Sequence, residues 1–237
     1  MTNGTRRLLH RVSGAVGGFR DRHPLIGPLV FISSALYFIV QMVVAWVFRP
    51  SYSVVHNTIS DLGNTKCGLY HKAMVCSPRH LLMDITFVLL GLVMIGGSVL
   101  IYQEFTERSR FERNVARTGF SLMAVGGVGA VLVGAFPENW IGYMHVLGAS
   151  LAIGGGNACI LVLGLALTLP DWLRRNMLLY GSVAGAAAIS FALDRYFGLG
   201  EGTMERVAAY PETIWLITFG LYISRNHYRA IPGRPAH

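Results

Sequence analysis

Six stretches of this chain are too long and too apolar to be left in water: Leu25 to Phe48, Leu81 to Tyr102, Thr118 to Phe136, His145 to Leu169, Met177 to Phe197, and Val207 to Ser224. A helix rises about 1.5 Å per residue and the hydrocarbon core of a bilayer is about 30 Å thick, so about 20 predominantly apolar residues suffice to cross it. Lipid offers the backbone no hydrogen-bond partner, which makes such runs helical. The expected fold is all-α, a polytopic membrane bundle of six transmembrane helices over residues 25–224. Glu212 and Pro211 lie in or beside the last run, so a kink there, or five spans and a re-entrant segment, is the alternative.

Composition excludes a soluble single-core protein, because 53% of residues are hydrophobic, 14% are charged and the mean hydropathy is +0.48, against about 25% charged in soluble domains. The formal charge of +8 comes almost wholly from arginine, with Lys66 and Lys72 the only lysines. No nucleic-acid motif accompanies this charge, so the partner it implies is membrane lipid and not nucleic acid. Lys and Arg favour the cytoplasmic ends of spans. Fourteen of the twenty lie in the N-terminal arm, the loop holding Arg108 to Arg117, the pair Arg174 and Arg175, and the tail. Five lie on the other side, at Arg49, Lys66, Lys72, Arg79 and Arg206, and Arg195 closes the fifth run. Both termini are therefore expected in the cytoplasm, with the protein in the cell membrane.

The chain divides into a basic arm over 1–24, the spanning region over 25–224 with a first outer loop over 49–80, and a basic tail over 225–237. No small-x-small cleavage site follows the arm, so the first run is expected to stay as an anchor. Between Arg6 and Arg22 the arm is either an interfacial amphipathic helix or a disordered topogenic segment, since Gly14, Gly17 and Gly18 weaken a helix there. Small residues recur every four positions at Gly126, Ala130 and Gly134, at Gly148, Ala152 and Gly156, and at Ala184, Ala188 and Ala192. Such stripes let helices approach closely in lipid, so these three helices are expected at the centre of the bundle.

Cys67 and Cys76 fall in the first outer loop, an oxidising location, and a disulfide between them is expected. Cys159 lies inside a span as a small core residue. Followed along the inferred directions, the polar residues collect at the outer end: His56, Asn57, Ser60, Asp61, Asn64, His71 and His80 in the loop, Asp84 one turn into the second span, then Glu138, His145, Asp194, Arg195, Glu205 and Glu212. Ionisable groups at membrane depth usually face a partner or a watery cavity. An outer polar pocket is therefore expected around Ser60, Asp61, Asp84, His145, Arg195 and Glu212, with Arg195 paired to Asp84 or Glu212. Asn157 is read as a bond between helices.

Three stretches together resemble a known family: His56 with Ile59-Ser60-Asp61-Leu62-Gly63, Gly134-Ala135-Phe136-Pro137-Glu138, and His145 with Leu147-Gly148-Ala149. The pattern is similar to a prokaryotic membrane family catalogued as domain of unknown function 998 (DUF998), itself distantly similar to the Frag, DRAM and Sfk membrane proteins. The resemblance runs from about Leu25 to Ile223. It implies a six-helix bundle with its motif residues in the outer half, and no reaction.

Several functions remain open on the sequence. The leading one is a binding protein whose outer pocket takes a lipid head group or small polar ligand, in lipid handling, transport or support of a partner complex. A metal-dependent intramembrane lipid hydrolase would draw ligands from His56, His80, Asp84 and His145. It would look like the membrane ceramidase and adiponectin-receptor superfamily, but the paired histidines on a late helix are missing. A haem would need two axial ligands such as His80 and His145, whose spacing nothing fixes, and no cofactor is expected. A proton- or ion-coupled carrier would use Asp84, Asp194 and Glu212, against which stands the lack of a charge at mid-membrane.

Overall fold

The computed structural model describes residues 14–70 and 73–229. Helix covers residues 14–22 at the end of the arm. It is followed by α1 (Ile26–Ile32), α2 (Ala35–Trp46), α3 (His80–Tyr102), α4 (Arg110–Ala135), α5 (Gly142–Ala166), α6 (Asp171–Ala192) and α7 (Glu201–Arg229). The helical end of the arm is tied down where Arg20 Nη1 donates to the Gln103 carbonyl at 2.7 Å. The remainder of that segment, 6–13, His71, and most of the tail lie outside the described residues.

α4 and α7 extend beyond the apolar runs into polar sequence at their N-terminal ends. Ser109 caps α4, which begins eight residues before the apolar stretch, its hydroxyl accepting from the Glu112 N–H at 3.2 Å. The first run is broken once: Ser33 and Ser34 return their hydroxyls to the Val30 and Phe31 carbonyls at 2.6 and 2.7 Å, between α1 and α2. Pro211 does not end the last run. α7 continues through it for 29 residues and starts at Glu201, a turn and a half earlier than the apolar pattern suggests.

Four stretches, Ile26–Trp46, His80–Phe105, Arg110–Ala135 and Gly142–Ala166, are long and apolar enough to cross a bilayer. α6 and α7 are long enough, with 22 and 29 residues, but are less apolar. The surface is that of a membrane protein: Leu36, Met42, Trp46, Leu81, Leu89 and Leu165 all point outward, an apolar exterior far beyond that of water-soluble chains. Inside, Trp215 of α7 lies 6.1 Å from Phe31 of α1 and 4.7 Å from Phe219 by ring centroids, locking the last helix onto the first.

Two of the three small-residue stripes do what was expected. A Cβ added at Gly129 would meet the Ala152 nitrogen at 2.5 Å, and one at Gly148 would meet the Val133 nitrogen at 2.9 Å, so α4 and α5 touch backbone to backbone. The third close partner is α3 and not α6. Gly91 and Gly127 face each other across α3 and α4, while Ala192 at the end of α6 is exposed. α6 packs only on its sequence neighbours α5 and α7 among the more extensive helix contacts. Its alanines reflect a face toward lipid as much as a face toward protein.

Between α2 and α3 the chain makes a short 3-10 turn over Ser60–Gly63, then β1 (Gly68–Tyr70) and β2 (Ala73–Val75), paired antiparallel with Leu69 opposite Met74. Cys67 and Cys76 flank this hairpin and form a disulfide. The hairpin and turn cap the end of the bundle where α3, α5 and α7 begin, here called the loop end.

Candidate functional site

The site begins with a local signal, Thr58-Ile59-Ser60-Asp61. The Thr58 hydroxyl accepts from the Asp61 N–H at 3.1 Å and the Asp61 carboxylate accepts from the Thr58 N–H at 3.2 Å, a reciprocal cap that sets the turn. Gly63 closes it against α3: a Cβ there would lie 2.6 Å from Asp84 Oδ1. The turn thereby presents Ser60 to the bundle.

Ser60 Oγ lies 2.9 Å from His145 Nε2 of α5 and 3.2 Å from Glu205 Oε1 of α7. The other ring nitrogen, Nδ1, is 2.9 Å from the Phe136 carbonyl. A carbonyl only accepts, so Nδ1 bears hydrogen and Nε2 of the neutral ring accepts from Ser60. The serine has one hydrogen for two neighbours. The trio is satisfied when Glu205 donates to Ser60 and Ser60 to His145, or when the proton has moved along so that His145 donates to Ser60 and Ser60 to Glu205. Glu205 also accepts from the Ile59 N–H. Three elements distant in sequence are thus joined through one hydroxyl.

Beside this trio lies an acidic pair. Asp61 accepts from Asn57 Nδ2 at 2.8 Å, and Asn64 Nδ2 donates to Glu138 Oε1 at 2.7 Å. Glu138 sits in the α4–α5 loop, where burial, and then the neighbouring Asp61 and Glu205, push its carboxyl up to about 9. Glu138 is therefore the neutral partner near pH 7, donating to Asp61 and accepting from Asn64. The Arg206 guanidinium is spent on the loop backbone, donating to the Asn57 and Gly202 carbonyls at 2.9 and 2.7 Å and to the Tyr52 hydroxyl.

Of the residues expected here, Ser60, Asp61 and His145 come together, and Asp84 lies just below them. Asp84 pairs with His80 one turn before it at 3.2 Å, leaving Oδ1 without a hydrogen-bond partner. The Arg195 pairing is not formed. Arg195 is exposed in the α6–α7 loop, and no ion pair joins it to Asp84 or Glu212, because α6 ends at Ala192 and the loop carries the arginine outward. Glu212 is not at this end at all. It lies two turns deeper on α7, 4% exposed, against Gly156 of α5, so the bundle does hold an ionisable group at mid-depth, contrary to the sequence expectation. The reason is that α7 starts earlier and runs straight through Pro211. Asn157 bonds α5 to α7 as expected, Nδ2 donating to the Ala208 carbonyl at 2.9 Å.

Sequence reasoning left Glu205, Glu138, Asn64 and Arg206 out of the site. One signal was available: Glu205 and Glu212 are seven residues apart, which places them on one face of a continuous helix. The metal set is not assembled either. His56 is exposed, His80 is held by Asp84 and His145 by Ser60 and Phe136, and among the described residues no group of three His, Cys, Asp or Glu side chains is placed to hold a metal ion. Asn57, Asp61, Asn64, His145 and Glu205 of the loop-end network are all buried, and Asn64 Oδ1 and Asp84 Oδ1 are left without a donor. Two clefts lie at the opposite end, one of about 380 Å³ lined by Arg20, Gln103, Glu104, Glu107 and His227, the other of about 220 Å³ next to it.

Four apolar helices with lipid-facing exteriors, capped by a disulfide-bearing loop over a buried polar network, define an integral membrane helix bundle. Residues 31–222 match the model of the family described as Protein of unknown function (DUF998), and the chain belongs to that family. No curated protein and no solved structure matches it.

Proposed function

We propose that the loop end is an extracytoplasmic binding site for a lipid head group or small polar molecule that donates hydrogen bonds, in a bundle of six spans with both termini cytoplasmic. The observation that carries this reading is a pair of buried acceptors, Asn64 Oδ1 and Asp84 Oδ1, which have no donor within the protein. A buried acceptor left unpaired costs about 1–3 kcal/mol, and a natural sequence that retains two side by side with a carboxyl cluster has a use for them. The Asn64 amide nitrogen donates to Glu138, which leaves the oxygen as its open acceptor. A hydroxyl or ammonium group supplies the donor that each lacks, so the ligand class is a hydroxylated or amine-bearing head group. In this reading α6 and α7 complete the six spans, their charges gathered at their ends and on the face toward α5.

The test is mass spectrometry of lipids and small molecules retained by the protein purified in mild detergent. The wild type is expected to retain one species reproducibly, and Asp84→Asn, which replaces one acceptor by a donor, to lose it about tenfold. Equal retention in both proteins removes the reading.

One contact favours a second reading, a hydrolase acting on a lipid ester. Ser60 Oγ and His145 Nε2 are at the separation of a nucleophile and its general base, and the Phe136 carbonyl orients the ring as a third group. A fluorophosphonate would then label Ser60 in the wild type and fail to label Ser60→Ala or His145→Ala. An unlabelled wild type leaves only the binding reading.

A further inference from the structure

The group that neither reading uses is Glu212. It is 4% exposed and its Oε2 has no hydrogen-bond partner, while three residues along the helix the Trp215 indole N–H also has none, and on the facing helix Asn157 Oδ1 is bare. The carboxyl fits only because position 156 is glycine: it occupies the space that a Cβ there would take. Glu212 lies 11 residues from the start of α7 and Gly156 14 residues from that of α5. At about 1.5 Å per residue both are some 16–21 Å below the loop end, close to the middle of a core about 30 Å thick.

The titratable groups that feel Glu212 are Tyr37 of α2 and Cys159 of α5, and Tyr37 in turn faces Glu205 and Tyr210 of α7. No charged side chain acts on Glu212 itself. An ionised carboxylate with a bare oxygen and no cation is the most costly arrangement a membrane interior can hold, whereas the neutral acid needs only ordinary hydrogen bonds. Glu205 lies two turns toward the loop end on the same face, next to the Ser60–His145 pair through which a proton can shift without any heavy atom moving far.

We propose that Glu212 is a proton-binding site at mid-membrane, able to release and regain its proton in the folded bundle. The ligand is the proton itself, and the route to it runs along the α7 face that carries Glu205. Infrared spectroscopy of the protein in lipid nanodiscs tests this. A carboxylic acid C=O band present in the wild type at neutral pH and missing from Glu212→Gln is expected. It should disappear reversibly at alkaline pH, while the helical amide band is unchanged. Identical wild-type and Glu212→Gln spectra at neutral pH would overturn the proposal. A band that persists until the helical signal collapses would also overturn it, reducing Glu212 to a structural acid. Glu212→Asp, which keeps the acid on a shorter arm, is the second variant: the same proposal requires a displaced band in it that titrates.

Discussion

Gly129→Leu is expected to unseat α4 from α5 and to lower the thermal midpoint in detergent by about 10 °C or more. The estimate follows from what surrounds the glycine. A Cβ at this position would meet the Ala152 nitrogen at 2.5 Å and Leu151 Cβ at 2.7 Å, with the Gly148 carbonyl closer still. Two of those three contacts are helix backbone, which cannot rotate away as a side chain can. Overpacking a well-filled core costs about 1–3 kcal/mol, and contact with rigid backbone puts this site at or above the upper end, which for a chain of this size is roughly 10 °C. In lipid the effect is undiluted, because helices there associate by packing and not by escape from water. Gly154→Leu is the control. It lies on α5 directly before Gly155, yet a Cβ there meets nothing within 4 Å, so its midpoint should stay within about 2 °C of the wild type. Equal losses in both variants would mean that leucine in these helices is harmful for reasons other than close approach.

The second large effect is on pH. Glu138 is pushed up to about 9 in the folded protein by burial and then by Asp61 and Glu205, against about 4.3 in an unfolded chain. Between these values the folded state holds a proton that the unfolded state has released, so stability falls as pH rises. The contribution is fully present below about pH 4 and is lost as the pH passes through about 9. Glu138→Gln carries a fixed neutral side chain of the same shape, able to accept from Asn64 and to donate to Asp61. Its thermal midpoint should therefore be flatter than that of the wild type from pH 5 to pH 9, crossing above it on the alkaline side. Parallel profiles would show that Glu138 titrates like an exposed carboxylate and that the Asp61–Glu138 hydrogen bond does not form in solution.

Both predictions concern features that are only half written in the sequence. The glycine stripes on α4 and α5 are visible at four-residue spacing, but Gly129, the tightest approach of α4 to α5, lies off the stripe, and whether a stripe meets a helix or lipid depends on which neighbour arrives. Ala192 has the right spacing and faces outward. In the same way Glu138 stands out as an acid after a span, while its companions Asp61 and Asn64 come from a loop some 74 residues earlier. Arg195 shows the opposite error: its place at the end of an apolar run suggested an ion pair with Asp84 or Glu212, and α6 ends three residues before it, which leaves it on the surface.

What the sequence determined by itself was the class and its local parts. Apolar runs of spanning length admit only helices, since lipid cannot hydrogen-bond a bare backbone. The Thr58–Asp61 and Ser109–Glu112 caps, the hairpin cysteines and the Asn157 link act over short range or offer few alternatives. The tertiary structure alone decided which polar groups share a proton and how deep each lies. Ser60, His145 and Glu205 meet because α5 and α7 both begin under the first loop, and Glu212 reaches the middle of the bundle because α7 runs unbroken through Pro211. Those outcomes, the depth of Glu212 being its depth within the bundle, depend on the register between helices, which periodicity within any one helix does not contain.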